Sequence, residues 1–168
     1  IPARQMAGIK PAPLEGINIL KKWQGRIDSM EGDAGRRWHQ VIAPLVADTA
    51  PGTVVLTGFP CDAGVIRNEG RPGAAEGPSA LRHALRNMPV HECDALADAG
   101  DIPCHGDELE DAQDRFSAHT RELLSRGCFP IGMGGGHEIA WGSYLALARH
   151  LEGGAERPRI GIVNFDAH

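Results

Sequence analysis

The sequence lacks the features that mark membrane proteins, nucleic-acid-binding proteins and disulfide-stabilised secreted proteins. It has no apolar stretch of membrane-spanning length and no recognisable signal peptide. Its formal net charge is −5 and its basic residues form no run, which argues against a nucleic acid or an anionic membrane as the partner. The four cysteines show no C-x-x-C spacing, so we expect reduced thiols in a cytoplasmic protein.

Short apolar runs alternate with longer helical patterns along most of the chain. The 168 residues and a hydrophobic content of 42 % suit one globular domain with a core. Strands are predicted at residues 53–59, 96–102, 160–165 and from 129 into a glycine run, and helices at 38–45, 79–86, 106–126 and 139–151. Pro44 is expected to bend or interrupt the first helix. This alternation predicts an α/β fold with three α/β/α layers around a parallel sheet.

The glycine-rich run at residues 129–138 contains the first candidate site residue. A dinucleotide-binding fingerprint would need a glycine where His137 stands, and a zincin helix would need a second histidine where Trp141 stands. What remains is one imidazole at the carboxyl end of a predicted strand, the edge at which open α/β sheets hold their ligands. Either His137 is a ligand at this edge or it has a structural role after the glycines.

A carboxylate and an imidazole follow the last apolar run. Residues 160–165 have the continuous apolar pattern of a strand buried on both faces. Asp166 and His168 come directly after it, and side chains two residues apart leave a strand on the same face, about 6–7 Å from each other. This spacing suits ligands of one metal or of two bridged metals. The alternative is that Asp166 caps a helix within a polar loop.

Together these two stretches resemble the first two metal-binding motifs of the ureohydrolase family, which includes arginase, agmatinase and formimidoylglutamase. The residues are Gly-Gly-Gly-His-Glu at 134–138 and Asn-Phe-Asp-Ala-His at 164–168. The resemblance implies that His137, Asp166 and His168 bind manganese in a binuclear site. Most arginases and agmatinases have Asp and Ser where this chain has Gly136 and Glu138, and these two residues resemble the formimidoylglutamase branch.

Two further segments carry the same resemblance. Residues 23–28 read Trp-Gln-Gly-Arg-Ile-Asp and are similar to the W-x-G-R-x-D segment near the start of formimidoylglutamases. We expect residues 1–35 to form an N-terminal arm that lies on the domain surface. The long loop at residues 60–78 resembles the family signature D-x-G-V-x-x-N-x-G-R-x-G-A-x-x-G-P, which lies near the mouth of the active site.

Asn68 and Arg71 of this loop are candidate substrate-binding residues. In the family the loop lies near the active site, and a guanidinium can bind an acidic substrate through a pair of hydrogen bonds. The alternative is that both side chains only hold the loop together, through Asp62, Glu69 or backbone carbonyls.

The resemblance implies a manganese hydrolase that acts on linear amidines. In the intact enzyme a metal-bridging hydroxide would attack the formimidoyl carbon of N-formimidoyl-L-glutamate and release L-glutamate and formamide, a step of histidine degradation. We expect two Mn²⁺ ions per subunit, a small-molecule substrate and assembly as a homo-oligomer. No residue of the chain is assigned as the proton donor.

Two alternatives to this function stay open. Another ureohydrolase, such as an agmatinase or an arginase, would act on a guanidino substrate and release urea. The chain could also be an inactive fragment or pseudoenzyme, because it contains no Ser-x-Asp-x-Asp segment, which supplies further metal ligands in the family. We expect residues 1–168 to be the N-terminal part of a single ureohydrolase domain, with a truncated arginase-like fold.

Overall fold

The computed structural model describes residues 19–93, 95–152 and 159–165. In these ranges the helices are α1 (Trp38–Val41), α2 (Ala63–Arg67), α3 (Gly77–Leu85), α4 (Leu109–Ser125) and α5 (Ile139–Leu151). The strands are β1 (Ala43–Pro44), β2 (Val54–Phe59), β3 (Leu96–Asp101) and β4 (Phe129–Gly134). Short 3₁₀ turns occur at Leu20–Lys22, Ser29–Gly35 and Ala74–Glu76. No helix of the described ranges is long and apolar enough to cross a bilayer.

The four described strands form one parallel sheet in the order β1-β3-β2-β4. The sequence of β2 is Val-Val-Leu-Thr-Gly-Phe, in which branched and aromatic side chains favour an extended backbone, and its last five residues are buried. β2 pairs with β4 along its whole length, from Val54 opposite Phe129 to Phe59 opposite Gly134. Because the strands are parallel, the carboxyl ends of β2, β3 and β4 meet at one edge of the sheet.

Side chains alternate between the two faces of the sheet and divide the core into two layers. On one face, Phe59 of β2 packs against Phe116 of α4, with ring centroids 5.2 Å apart. On the other face, Leu56 lies in a cluster against which Trp38 and Val41 of α1 and Leu85 of α3 pack. Helices therefore cover both faces, and the predicted three-layer α/β/α fold with a parallel sheet is confirmed.

The first helix is shorter than predicted. α1 ends at Val41, and Ile42 leaves the helical region with φ −68° and ψ 131°. Pro44 lacks a backbone N–H and restricts the residue before it to extended conformations, so the helix cannot continue through it. Ala43 and Pro44 instead form β1 at the edge of the sheet, where a missing donor is tolerated.

The loop after β2 contains more regular structure than its glycines and prolines suggest. It includes α2 and the 3₁₀ turn at Ala74–Glu76. α3 then begins at Gly77 with Pro78 in its first turn, two residues before the predicted start at residue 79. Proline suits that position because it has no N–H that would need a hydrogen-bond acceptor there.

The N-terminal arm is anchored in the core by Trp23, so the prediction of a surface arm is wrong at this residue. Trp23 is 3 % exposed, and its Nε1 donates a hydrogen bond to Asp98 Oδ2 at 2.7 Å. The same carboxylate accepts hydrogen bonds from Arg82 Nε at 2.7 Å and Arg82 Nη2 at 2.9 Å. A buried carboxylate needs such donors to offset its loss of hydration, and the indole N–H is one of them.

Residues 160–165 do not form the predicted buried strand. The described segment 159–165 has no helix or strand, and Ile162, Val163 and Phe165 are 74 %, 79 % and 95 % exposed. A strand is stable only when its backbone groups pair with a neighbour and one of its faces is packed. Among the described residues this segment pairs with no strand of the sheet and has no packed face.

Candidate metal centre

A glycine turn at the carboxyl end of β4 lies directly against the loop that follows β2. The backbone N–H of Gly135 donates to Phe59 O at 3.0 Å, and that of Gly136 donates to Cys61 O at 2.9 Å. A Cβ atom on Gly135 would lie 1.9 Å from Cys61 O, a separation that no side chain can adopt. These glycines therefore allow two loops to approach within backbone hydrogen-bonding distance.

His137 follows this turn and precedes α5. The residue is exposed, and its carbonyl accepts a hydrogen bond from the N–H of Ala140 at the start of the helix. The structure thus places His137 at the carboxyl edge of the sheet, as we expected from the sequence. This is the edge at which open α/β sheets hold their ligands.

The other two predicted metal ligands, Asp166 and His168, lie outside the described residues. Within the described ranges, no group of three or more His, Cys, Asp or Glu residues is arranged to hold a metal ion. The predicted set would combine two imidazoles with a carboxylate, which suits Mn²⁺ without excluding other divalent metals. The exposed position of His137 fits such a set, and the set itself stays a prediction.

The predicted substrate-binding residues lie in the loop that begins at the carboxyl end of β2. Asn68 is the C-cap residue directly after α2, and both Asn68 and Arg71 are exposed. The loop is closed by Asp62, whose Oδ2 accepts a hydrogen bond from the N–H of Gly73 at 2.8 Å. Neither the Asn68 nor the Arg71 side chain hydrogen-bonds or ion-pairs with another described residue. Their contact with a substrate stays a prediction.

No sequence pattern assigned a contact at this edge to Glu138 or Cys61, although Glu138 was a marker of the family branch. Oε1 of Glu138 accepts a hydrogen bond from the N–H of Gly64 at 3.2 Å, which joins the glycine turn to α2. Burial, together with the Cys104 and Glu138 side chains, raises the pKa of the Cys61 thiol to about 12. The thiol is therefore protonated at neutral pH and is a poor nucleophile.

A cavity of about 550 Å³ opens beside Cys61, at the start of the loop after β2. Cys61 and Asp62 line it from the loop after β2, and Cys104 lines it from the segment after β3. Arg67, also in its lining, donates hydrogen bonds to Asp107 Oδ1 at 2.7 Å and to Glu110 Oε1 at 2.6 Å. The cavity is thus formed at the carboxyl edge by the same loop that carries Asn68 and Arg71, and its volume suits a small molecule.

His119 of α4 packs against β2 and lies on the helical face formed by Leu109, Ala112 and Phe116, where the sequence pattern favours a core or boundary histidine over a ligand. Its Nε2 lies 3.4 Å from Thr57 Oγ1. Burial lowers the pKa of His119, because the charged imidazolium loses hydration there. Both observations support the structural interpretation.

A family model matches most of the sequence, up to its last residue. The model of the arginase family matches residues 52–168. The chain belongs to the arginase family. The matched range contains the loop after β2, the glycine turn and both Asp166 and His168, so each predicted site residue lies inside the family region.

Two curated relatives within this family show which branch the chain resembles. The formimidoylglutamase of Ralstonia nicotianae is 54 % identical over 148 residues, which are 87 % of this chain and 46 % of the relative. The formimidoylglutamase of Cupriavidus pinatubonensis is 49 % identical over 149 residues, which are 87 % of this chain and 47 % of the relative. The chain therefore spans about half the length of the curated relatives it matches.

Solved structures of the family confirm the fold. The Trypanosoma cruzi formiminoglutamase with Mn²⁺ matches with a TM-score of 0.61 and 31 % identity, over 71 % of this chain and 42 % of that chain. The predicted arginase-like fold and the resemblance to formimidoylglutamases are both confirmed.

Proposed function

We propose that the whole protein hydrolyses N-formimidoyl-L-glutamate to L-glutamate and formamide in histidine degradation, with manganese as its cofactor. The observation that carries this proposal is the 54 % identity with the Ralstonia nicotianae formimidoylglutamase over 87 % of this chain. The Trypanosoma cruzi formiminoglutamase structure with Mn²⁺ supports the choice of metal. Gly136 and Glu138 support the choice of branch, because they match the formimidoylglutamase form of the first motif.

His137, Asp166 and His168 would hold the metal. A divalent metal supplies Lewis acidity and an activated water at neutral pH. His137 projects from a turn that two backbone hydrogen bonds fasten to the loop after β2. Its position is therefore set by the sheet, and a ligand held in place before binding loses less conformational entropy when the metal arrives.

Arg71 and Asn68 would bind the substrate. Formimidoylglutamate carries carboxylates, and a guanidinium binds a carboxylate through two parallel hydrogen bonds. The Arg71 side chain has no hydrogen bond or ion pair with a described residue. Its donors are thus available to an incoming carboxylate, whereas those of Arg67 are engaged by Asp107 and Glu110.

The proposal includes a cytoplasmic location and assembly as a homo-oligomer. All four cysteines are unpaired thiols, which is typical of a reducing compartment. Phe129 of β4 and Trp141 of α5 are 63 % and 54 % exposed, and large exposed apolar side chains favour coverage by other protein surface, either the rest of the protein or a second subunit.

The proposed activity is tested by a substrate comparison with purified full-length protein loaded with Mn²⁺. We expect formamide from formimidoylglutamate and no urea from arginine or agmatine. Urea as the main product would assign the protein to the guanidino hydrolases instead. A metal-loaded protein that acts on none of these substrates would contradict the proposal.

The metal role of His137 is tested by His137→Ala. Loss of one imidazole is expected to lower kcat/KM by about 100-fold or more and to lower the manganese content measured by elemental analysis. His91→Ala is the matched control, because His91 is exposed in the segment before β3, at the opposite edge of the sheet. Full metal content and activity in His137→Ala would contradict the assignment.

A further inference from the structure

The carboxylate of Glu138 bridges the glycine turn and the loop that carries the candidate substrate-binding residues. One oxygen, Oε1, accepts a hydrogen bond from the N–H of Gly64 in the first turn of α2. The backbone of Glu138 is held from the opposite side, because Gln113 Nε2 of α4 donates to its carbonyl at 2.8 Å. Glu138 is thus held by its side chain to α2 and by its backbone to α4.

The second oxygen of Glu138 occupies the space above Gly136. A Cβ atom built on Gly136 would lie 1.9 Å from Glu138 Oε2 and 2.6 Å from Val65 Cγ2. Neither separation is possible without movement, so a side chain at position 136 and this placement of Glu138 exclude each other. The two residues therefore form a matched pair, which gives a physical reason for their joint occurrence in the motif.

Hydrogen bonds continue from Glu138 to the candidate substrate-binding loop. The N–H of Gly64 donates to Glu138, and the carbonyl of Gly64 accepts from the N–H of Asn68 at 3.1 Å. The next turn is closed by Gly70, whose N–H donates to Val65 O at 2.8 Å, and Arg71 follows it. A shift of the Glu138 carboxylate would therefore move α2, Asn68 and Arg71 relative to His137.

We propose that Glu138 is a positioning residue for substrate binding, which sets α2 and the Asn68 and Arg71 side chains relative to His137, and that Gly136 lacks a side chain because this carboxylate fills its place. The kinetic part of this inference rests on the proposed function. The structural part rests on the contacts of Gly64, Gly136 and Glu138 alone.

The first experiment compares Glu138→Ala with Glu138→Gln in the full-length protein. Glutamine keeps an oxygen that can accept from Gly64 N–H, whereas alanine removes it. We expect Glu138→Ala to raise KM for formimidoylglutamate by about tenfold, with kcat changed by less than about threefold. Glu138→Gln is expected to retain KM within about threefold. The manganese content should be unchanged in both variants, because neither removes a predicted ligand.

Amide hydrogen exchange of the same variants gives a readout that needs no activity. The Gly64 amide and residues 62–73 are expected to exchange about tenfold faster in Glu138→Ala than in Glu138→Gln. Unchanged exchange in Glu138→Ala would overturn the inference. It would also be overturned if Glu138→Gln were as impaired as Glu138→Ala, or if kcat and metal content fell while KM stayed constant.

The matched pair is tested by a double-mutant cycle. Gly136→Ala should displace the carboxylate and reproduce the KM increase and faster exchange of Glu138→Ala. In the Glu138→Ala background the same substitution should add less than about threefold. Val65→Ala in each background is the control for the remaining Val65 contact. Additive effects of the two substitutions would show that the residues act independently and would overturn the pairing.

The two experiments separate this inference from the proposed function. If the protein forms no formamide but amide exchange is faster in Glu138→Ala, the proposed hydrolysis is contradicted and the structural role of Glu138 is supported. If the protein forms formamide but Glu138→Ala changes neither amide exchange nor KM, the proposed function is supported and the positioning role of Glu138 is contradicted.

Discussion

The core beneath α3 and the carboxyl edge of the sheet use arginine in opposite ways. Arg82 in the core is 1 % exposed and donates hydrogen bonds to Asp98, Asp101 and the carbonyl of Gly100. Arg71 at the edge is exposed and has no hydrogen bond or ion pair with a described residue. A charge that the protein satisfies itself can contribute only to the fold. A charge left without a partner is available to a ligand.

The same contrast explains why the two regions should respond differently to substitution. Removing one member of a buried ion pair leaves the other charge without hydration or a partner, which costs far more than the pair itself contributes. Removing an exposed charge has little effect on stability, because that side chain is hydrated in both the folded and the unfolded protein. We therefore expect stability effects in the core and binding effects at the edge.

The largest effect is expected from Asp98→Ala. This substitution leaves Arg82 buried without its main partner and removes the acceptor of the Trp23 indole N–H. The free energy of unfolding, measured by urea denaturation, should fall by about 3–5 kcal/mol. The double variant Arg82→Met with Asp98→Leu is the control, and it should lose less than Asp98→Ala because no unpaired charge remains. A loss below about 1 kcal/mol in Asp98→Ala would contradict the expectation that substitutions in this part of the core act mainly on stability.

A smaller effect, confined to binding, is expected from Arg71→Ala. If Arg71 binds a substrate carboxylate, KM for formimidoylglutamate should rise by about tenfold or more, while the urea midpoint stays at its wild-type value. Arg67→Ala is the matched control, because Arg67 lies on the same loop but is engaged by Asp107 and Glu110. An equal rise of KM in both variants would show that general charge, and not a specific contact of Arg71, attracts the substrate.

The smallest effect is expected in acid, from Asp101. Burial raises the pKa of Asp101, but the Lys22 ammonium and the Arg82 guanidinium outweigh burial and hold this pKa below its usual value. The carboxylate therefore stabilises the fold above about pH 4, the ordinary carboxyl pKa, and loses that contribution as the pH falls through the lowered value. Asp101→Asn has no ionisable group at this position, so it has no such pH-dependent contribution to lose.

The measurement is the free energy of unfolding of wild type and Asp101→Asn at a series of pH values. The advantage of the wild type should be constant between about pH 5 and 7 and should shrink below about pH 4. An advantage that grows on acidification would contradict the direction of the pKa shift.

Most of the fold could be predicted from local patterns. The strands β2, β3 and β4 and the helices α3, α4 and α5 occur where apolar runs, helical spacing and glycine or proline punctuation indicated them. The failures lie where local pattern and packing disagree. Pro44 ends α1 early and Ala43 and Pro44 pair with β3 instead, while residues 160–165 pair with no described strand. Propensity indicates what a segment can form, while pairing decides whether it does.

The sequence by itself determined the family of this protein, the order of its strands and helices along the chain, and the position of His137 after three glycines at a strand end. These depend on residue type and short spacing, which the printed sequence contains directly. Only the tertiary structure decided that Trp23 binds Asp98 and that Glu138 binds Gly64, pairs that are 75 and 74 residues apart. Such contacts depend on how the arm, sheet and helices pack, because a hydrogen bond forms only between groups that the fold brings within about 3 Å of each other.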